Sequence, residues 1–175
     1  MSLKGIKMRK LFTAVMLVTI MMFSACEAAE EEIKYSENIL ISIDYGGVGF
    51  GTIAECTDAE VYFHTDRTIR IFMPDSDYSE IIEIGSIELS EEDYEKVKEL
   101  SSPDKIKAMK TEEMEADDGT SYFITLYGED DTEILRKGGY MPDGKEFWDT
   151  RKALIEIAEK YGLRDIVEKH RATLE

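Results

Sequence analysis

Apolar and polar positions alternate with a period of two along several stretches beginning at residue 39. Ile39, Ile41 and Ile43 alternate with Leu40, Ser42 and Asp44, and Val61 and Phe63, then Ile69, Ile71 and Met73, repeat the pattern. This alternation predicts half-buried strands, because successive strand side chains point to opposite faces. Thr65-Asp66-Arg67 joins two of them as a hairpin, and Tyr45-Gly46-Gly47-Val48-Gly49-Phe50-Gly51 reads as a turn or bulge between strands. Pro74-Asp75-Ser76-Asp77 is a loop, and Ile81 to Leu89 is a further strand. Tyr122, Ile124 and Leu126 alternate with Phe123, Thr125 and Tyr127, Gly128 to Asp131 is a turn, and Thr132 to Arg136 returns as the partner. Gly138-Gly139-Tyr140-Met141-Pro142 then breaks the sheet.

Between and after these strands the period lengthens to that of helices. Ser90 is an N-cap with Asp93 three residues on, Leu89 and Tyr94 have the spacing of a hydrophobic staple, and Tyr94, Val97 and Leu100 mark a buried stripe. Ser102-Pro103 opens a short helix through Met109, and Lys110 to Gly119 is charged and loop-like. Asp143 and Glu146 resemble a capping pair for a long helix over Gly144 to Tyr161. Phe147, Trp148, Arg151, Leu154, Ile155 and Ala158 share one face of it. Gly162 is its C-cap, and Leu163, Ile166 and Val167 predict a terminal helix. Strands, helix, hairpin and helix in this order predict an α+β domain: an antiparallel β-sheet with helices packed on one face.

Charge divides the chain in two. The 175 residues carry 38 acidic and 21 basic side chains, a net of −17. Four of the bases (Lys4, Lys7, Arg9 and Lys10) lie within residues 1–25, which hold no acid, so the chain from Cys26 onward has 17 bases and a net of −21. Such an excess repels phosphate polymers and anionic membrane surfaces, which argues against nucleic acid and against docking by a basic patch. Leu11 to Phe23 is uncharged. At 13 residues it is short of the ~20 needed to span a bilayer, but has the length of a signal-peptide core. A retained N-terminal helix is the competing reading. Met8 is an alternative start that leaves an equally good leader. Residues 27–37 (EAAEEEIKYSE) are acid-rich without an apolar period and read as a tether.

The leader ends Phe23-Ser24-Ala25-Cys26, which resembles the lipobox of bacterial lipoproteins. That resemblance implies diacylation of the Cys26 thiol, removal of residues 1–25, and a domain over 38–175 held by residues 26–37 at the extracytoplasmic face of the cell membrane. Two or three acyl chains give stable anchoring, each buried methylene contributing ~0.8 kcal/mol. The alternative is cleavage near Ala28 or Ala29 and secretion as a soluble protein. From Ile87 to Ile155 the layout also resembles uncharacterised domains of small lipoproteins from Gram-positive gut bacteria. The matching features are IELSEEDYEKVKEL, DGTSYFITLYG and GGYMPDGKEFWDTRKAL. That likeness implies the fold and carries no known chemistry.

Catalytic candidates are few. With two histidines, His64 and His170, a thiol triad would have to combine Cys56, His64 and Asp66. The simpler reading makes Cys56 a core thiol, His64 a strand-end side chain and His170 a surface residue at a helix C-terminus, where positive charge is favoured. No H-x-x-x-H, H-E-x-x-H or C-x-x-C occurs, which argues against zinc. Aligning an EF-hand glycine with Gly119 places Met114 and Ala116 where acids are required. Asp117-Asp118, Glu129-Asp130-Asp131 and Asp75 with Asp77 therefore read as solvated turns. Gly47, Gly49 and Gly51 lack the spacing of a phosphate loop. No metal or cofactor is expected.

Aromatic residues offer a binding surface instead. Of Tyr45, Phe50, Tyr62, Tyr78, Tyr127, Tyr140 and Trp148, the three flanking glycines in predicted loops (Tyr45, Phe50 and Tyr140) are the candidates, while Trp148 belongs to a helix core. The function these observations favour is a non-enzymatic cell-surface binding domain for a cationic protein, a peptide or a glycan. The alternatives are an extracytoplasmic hydrolase using carboxylates or Cys56, and a structural subunit.

Overall fold

Most strands send their β-branched and aliphatic set to one side, and that side becomes the core; Ile39, ahead of a register shift in its strand, and Ile81 turn to the other face. The computed structural model describes residues 33–46, 59–111, 121–140 and 142–174. Its strands are β1 (Ile39–Tyr45), β2 (Ala59–His64), β3 (Thr68–Pro74), β4 (Ile81–Glu88), β5 (Ser121–Tyr127) and β6 (Glu133–Tyr140). They form one antiparallel sheet in the order β4-β3-β2-β1-β5-β6. Register follows the alternation: Ile43 lies opposite Val61 on one side and Ile124 on the other, and Val61 lies opposite Ile71. These four residues, with Ile41, Phe63, Ile69, Met73 and Leu126, are almost wholly buried.

The helices are α1 (Glu91–Leu100), α2 (Pro103–Ala108), α3 (Lys145–Lys160) and α4 (Leu163–Arg171). Val97, Ile106, Phe147, Leu154, Ala158, Leu163 and Val167 complete a single core cluster with the sheet. The α+β architecture read from the sequence is therefore the observed one. No helix among the described residues is long and apolar enough to cross a membrane.

Three local expectations are corrected. Gly138 and Gly139 do not break the sheet; they lie inside β6, opposite Phe123 and Tyr122, and Tyr140 pairs with Ser121. The strand continues because Gly138 adopts φ +120°, which brings its α-carbon against the Tyr122 carbonyl. Second, Gly144 rather than Asp143 is the N-cap of α3, and no side chain caps that end. Third, His170 does not project freely from the last helix: its Nε2 lies 2.6 Å from the Pro74 carbonyl, tying α4 to the end of β3.

The start of α1 is fixed by an acid that its surroundings bury. Ser90 Oγ accepts from the Asp93 amide, and Asp93 itself is 3% exposed. Its carboxylate accepts from Lys160 at 2.5 Å, from the Tyr161 hydroxyl at 2.7 Å and from Lys96 at 3.2 Å, joining α1 to the end of α3. The Lys160 ammonium, then the Tyr161 hydroxyl, hold this carboxyl well below the usual carboxylate range. A carboxyl depressed in the folded state stabilises fully above its unfolded pKa, and the contribution is lost as pH falls through the folded one. Asp93→Asn should therefore cost about 2 kcal/mol at neutral pH, a figure moderated because Lys160 is largely exposed. In urea melts the gap between the two proteins should close as pH falls below about 4. A gap that stays constant down to acid pH would assign the effect to packing alone.

Candidate functional site on the open sheet face

The residues alternating with the core set form the second face of the sheet, and no described helix covers it. Across five strands the directly opposed residues are Arg136, Thr125, Ser42, Tyr62 and Arg70, running from β6 to β3. The next row toward the other end places Phe123, Asp44, Glu60 and Phe72 on β5, β1, β2 and β3. Strand pairing thus gathers three aromatic side chains with two arginines and two carboxylates on one surface, and Tyr127 of β5 lies beside them.

Ser42 decides how the aromatics meet. Because this central position carries only a hydroxymethyl group, Tyr62 and Tyr127 close over β1 from either side, with ring centroids 5.8 Å apart. The Ser42 and Tyr127 hydroxyls share a hydrogen bond of 2.8 Å. Phe72 meets Tyr62 edge to face at 5.3 Å, and the Tyr62 hydroxyl donates to Glu60 at 2.8 Å. Burial, followed by the bonds to Glu60 and Tyr127, pushes the Tyr62 phenol far above its ordinary pKa, so it remains a neutral donor. The guanidinium of Arg136 on β6 lies 4.8 Å from the ring centre of Phe123 on β5 and pairs with Glu133.

Glu60 and Tyr62 form a ridge between two hollows. One, of about 250 Å³, is lined by Ser42, Asp44, Phe123, Thr125, Tyr127 and Arg136 together with the ridge. The other, of about 210 Å³, is lined by Ile39, His64, Arg70, Phe72 and Ile81 with the same ridge. No protein family, curated protein or solved structure matches the chain. The chemistry of this face must therefore be read from its own residues.

His64 borders the second hollow, and its Nε2 is buried without a hydrogen-bond partner. Burial first, then the positive charge of Arg70, lowers its pKa, which keeps the ring neutral. Asp66 is turned to the β2–β3 hairpin, where its carboxylate accepts from the Thr68 amide and hydroxyl. Cys56, the third member of the thiol triad, lies outside the described residues, as do Cys26 and Phe50.

The other aromatic candidates are separated. Tyr45 ends β1 on the helix side, where its hydroxyl donates to Glu159 at 2.8 Å, and burial and this bond raise its pKa. Tyr140 lies on the outer strand β6, beyond β5. Trp148 donates from Nε1 to the Pro142 carbonyl and packs edge-on against Phe147 and Tyr122.

The acidic turns have internal work. Asp75 accepts from Ser79 and Glu80, Asp130 from Thr132, and Asp131 from Ser36 and Asn38. No group of three or more His, Cys, Asp or Glu side chains able to hold a metal occurs among the described residues. The signal for the open face was present in the alternation itself: Tyr62, Phe72, Phe123 and Tyr127 occupy strand positions where solvent-facing polar residues are expected.

Proposed function

We propose that this chain is an exported, lipid-anchored protein of the cell surface whose domain binds a saccharide chain on the open sheet face. The observation that carries the reading is the aromatic ridge of Tyr62, flanked by Phe72 and Tyr127, with a hollow of mixed polarity on one side and a more apolar one, bordered by Arg70 and Glu60, on the other. Sugar rings offer C–H faces that pack on aromatic rings and hydroxyls that exchange bonds with carboxylates, guanidinium groups and alcohols. Glu60, Arg70, Arg136, Ser42 and Thr125 provide those groups within two hollows separated by one ridge. With Arg70 and Arg136 beside Glu60, and with Asp44 already engaged by Arg151, this face is a poor match for a cationic polymer and favours a glycan there. The leader, Cys26 and the acidic tether support export and anchoring.

Binding of the full-length protein to an array of bacterial surface saccharides tests the reading, with Tyr62→Ala as the variant. Loss of the central ring should weaken binding by at least about tenfold, while circular dichroism stays unchanged. Binding to no saccharide, or binding indifferent to Tyr62→Ala, removes the proposal. Turnover of a bound saccharide that Glu60→Gln abolishes would replace it with the hydrolase reading. Mass analysis of the peptide beginning at Cys26 tests the anchor, an unmodified thiol excluding it.

A further inference from the structure

The two edges of the sheet differ in a way that the open-face reading does not use. The β6 edge carries Glu133, Arg136 and Lys137, so both signs of charge guard it. The β4 edge, together with the turn before it, spans residues 75–88 and holds Asp75, Asp77, Glu80, Glu83 and Glu88 without a single lysine or arginine. Apolar side chains stand among these acids: Ile81 is 59% exposed, Ile82 38% and Tyr78 41%. β4 pairs with β3 on one side only, so among the described residues its outer backbone amides and carbonyls face no strand. An edge with unpaired backbone and exposed isoleucines is a template for an added strand.

We infer that the β4 edge takes up a short, extended, basic peptide segment, one in which lysine or arginine alternates with apolar residues. Backbone pairing supplies the main attraction, Ile81 and Ile82 supply apolar contacts on alternate faces, and Glu80 and Glu83 select the charge. Two features work against a second copy of this chain in the same place. Pairing β4 with itself brings further acids and no lysine or arginine to balance them. In addition, Ile84 is an extra residue in the β4 ladder, since Ile71 lies opposite Gly85 and Phe72 opposite Glu83; such a bulge twists the edge and limits long, flat pairing. Glu88 is already engaged by Arg67, so the selecting charges are those nearer the β3–β4 turn.

The test uses the full-length protein and a blocked octapeptide of alternating lysine and valine. Two control peptides accompany it, one with glutamate replacing lysine and one N-methylated at every amide, so that neither edge can pair. Hydrogen-exchange mass spectrometry should show slower exchange over residues 81–88 with the basic peptide and no change with either control. Glu80→Lys with Glu83→Lys should weaken the basic peptide at least about tenfold and admit the acidic one. Equal binding of the N-methylated peptide would overturn strand addition. Protection confined to β1, β2 or β5, or slowing that grows with protein concentration in the absence of peptide, would overturn the assigned site or its occupant. Tyr62→Ala should leave this binding intact, which separates the result from the saccharide reading.

Discussion

Replacing Arg151 by methionine is expected to cost about 3–5 kcal/mol of folding stability, a large share of what a domain of this size possesses. Arg151 projects from α3 and is 7% exposed, with its guanidinium 4.6 Å from the Tyr122 ring centre and 5.8 Å from that of Trp148. Its Nη2 donates to the Asp44 carbonyl at 2.7 Å and reaches the Asp44 carboxylate at 3.3 Å. Asp44 in turn accepts from the Phe123 amide at 2.6 Å, taking over beside β5 where the backbone pairing of β1 and β5 stops at Ile43 and Ile124. One arginine thus closes the end of the β1–β5 seam and neutralises the acid that extends it.

Methionine preserves most of the apolar stem and leaves the half-buried Asp44 carboxylate without its counter-charge, so the loss reports the charge rather than a cavity. Adding Asp44→Asn, which retains an acceptor for Phe123, should recover more than about 1 kcal/mol. Urea denaturation of the four proteins in the cycle measures both quantities. Strict additivity would show that Arg151 acts through packing and that the pair contributes nothing of its own.

Gly138→Ala should be at least as damaging, at about 3 kcal/mol or more. A β-carbon at this position would lie 1.9 Å from the Tyr122 carbonyl oxygen, which belongs to the backbone of the paired strand and has no rotamer by which to withdraw. The positive φ of +120° adds strain of its own. Gly162→Ala provides the comparison, because φ there is +94° and nothing lies within 4 Å of the added carbon. That variant should lose only the conformational part, about 1 kcal/mol. Amide exchange should also accelerate in β5 for Gly138→Ala and not for Gly162→Ala. Equal costs at the two sites would mean that β6 yields without resistance.

These residues also show what the chain disclosed in advance and what it withheld. Ile41, Val61, Ile71 and Ile124 announce their strands because burial on one side forces a two-residue period. Ser90 announces α1 because a hydroxyl ahead of three acids is a local solution to unpaired amides. Asp93 looks like the third of those surface acids. Its burial depends on Lys160 and Tyr161, more than sixty residues away, and no local pattern encodes them. Gly138 and Gly139 read as a break because glycine weakens strands in general; here they are what permits β6 to approach Tyr122. Tyr45, Phe50 and Tyr140 drew notice through neighbouring glycines, whereas the gathered aromatics are Tyr62, Phe72, Phe123 and Tyr127. Their assembly on one face depends on the strand order, with β5 inserted beside β1, which spacing along the chain does not reveal.

That strand order also governs the sequence of events by which the domain is made. β1 through β4 are consecutive neighbours, each able to pair as soon as the next has been synthesised, and β5 with β6 is a self-contained hairpin. Only the β1–β5 seam joins segments far apart, with Ser42 waiting for Thr125. Closure of so long a loop is slow relative to hairpin formation, so the first four strands exist for a time with one flank of their founding strand uncapped. The central strand of the finished sheet is thus an edge during biosynthesis, and the hairpin that completes the fold also removes its most association-prone intermediate.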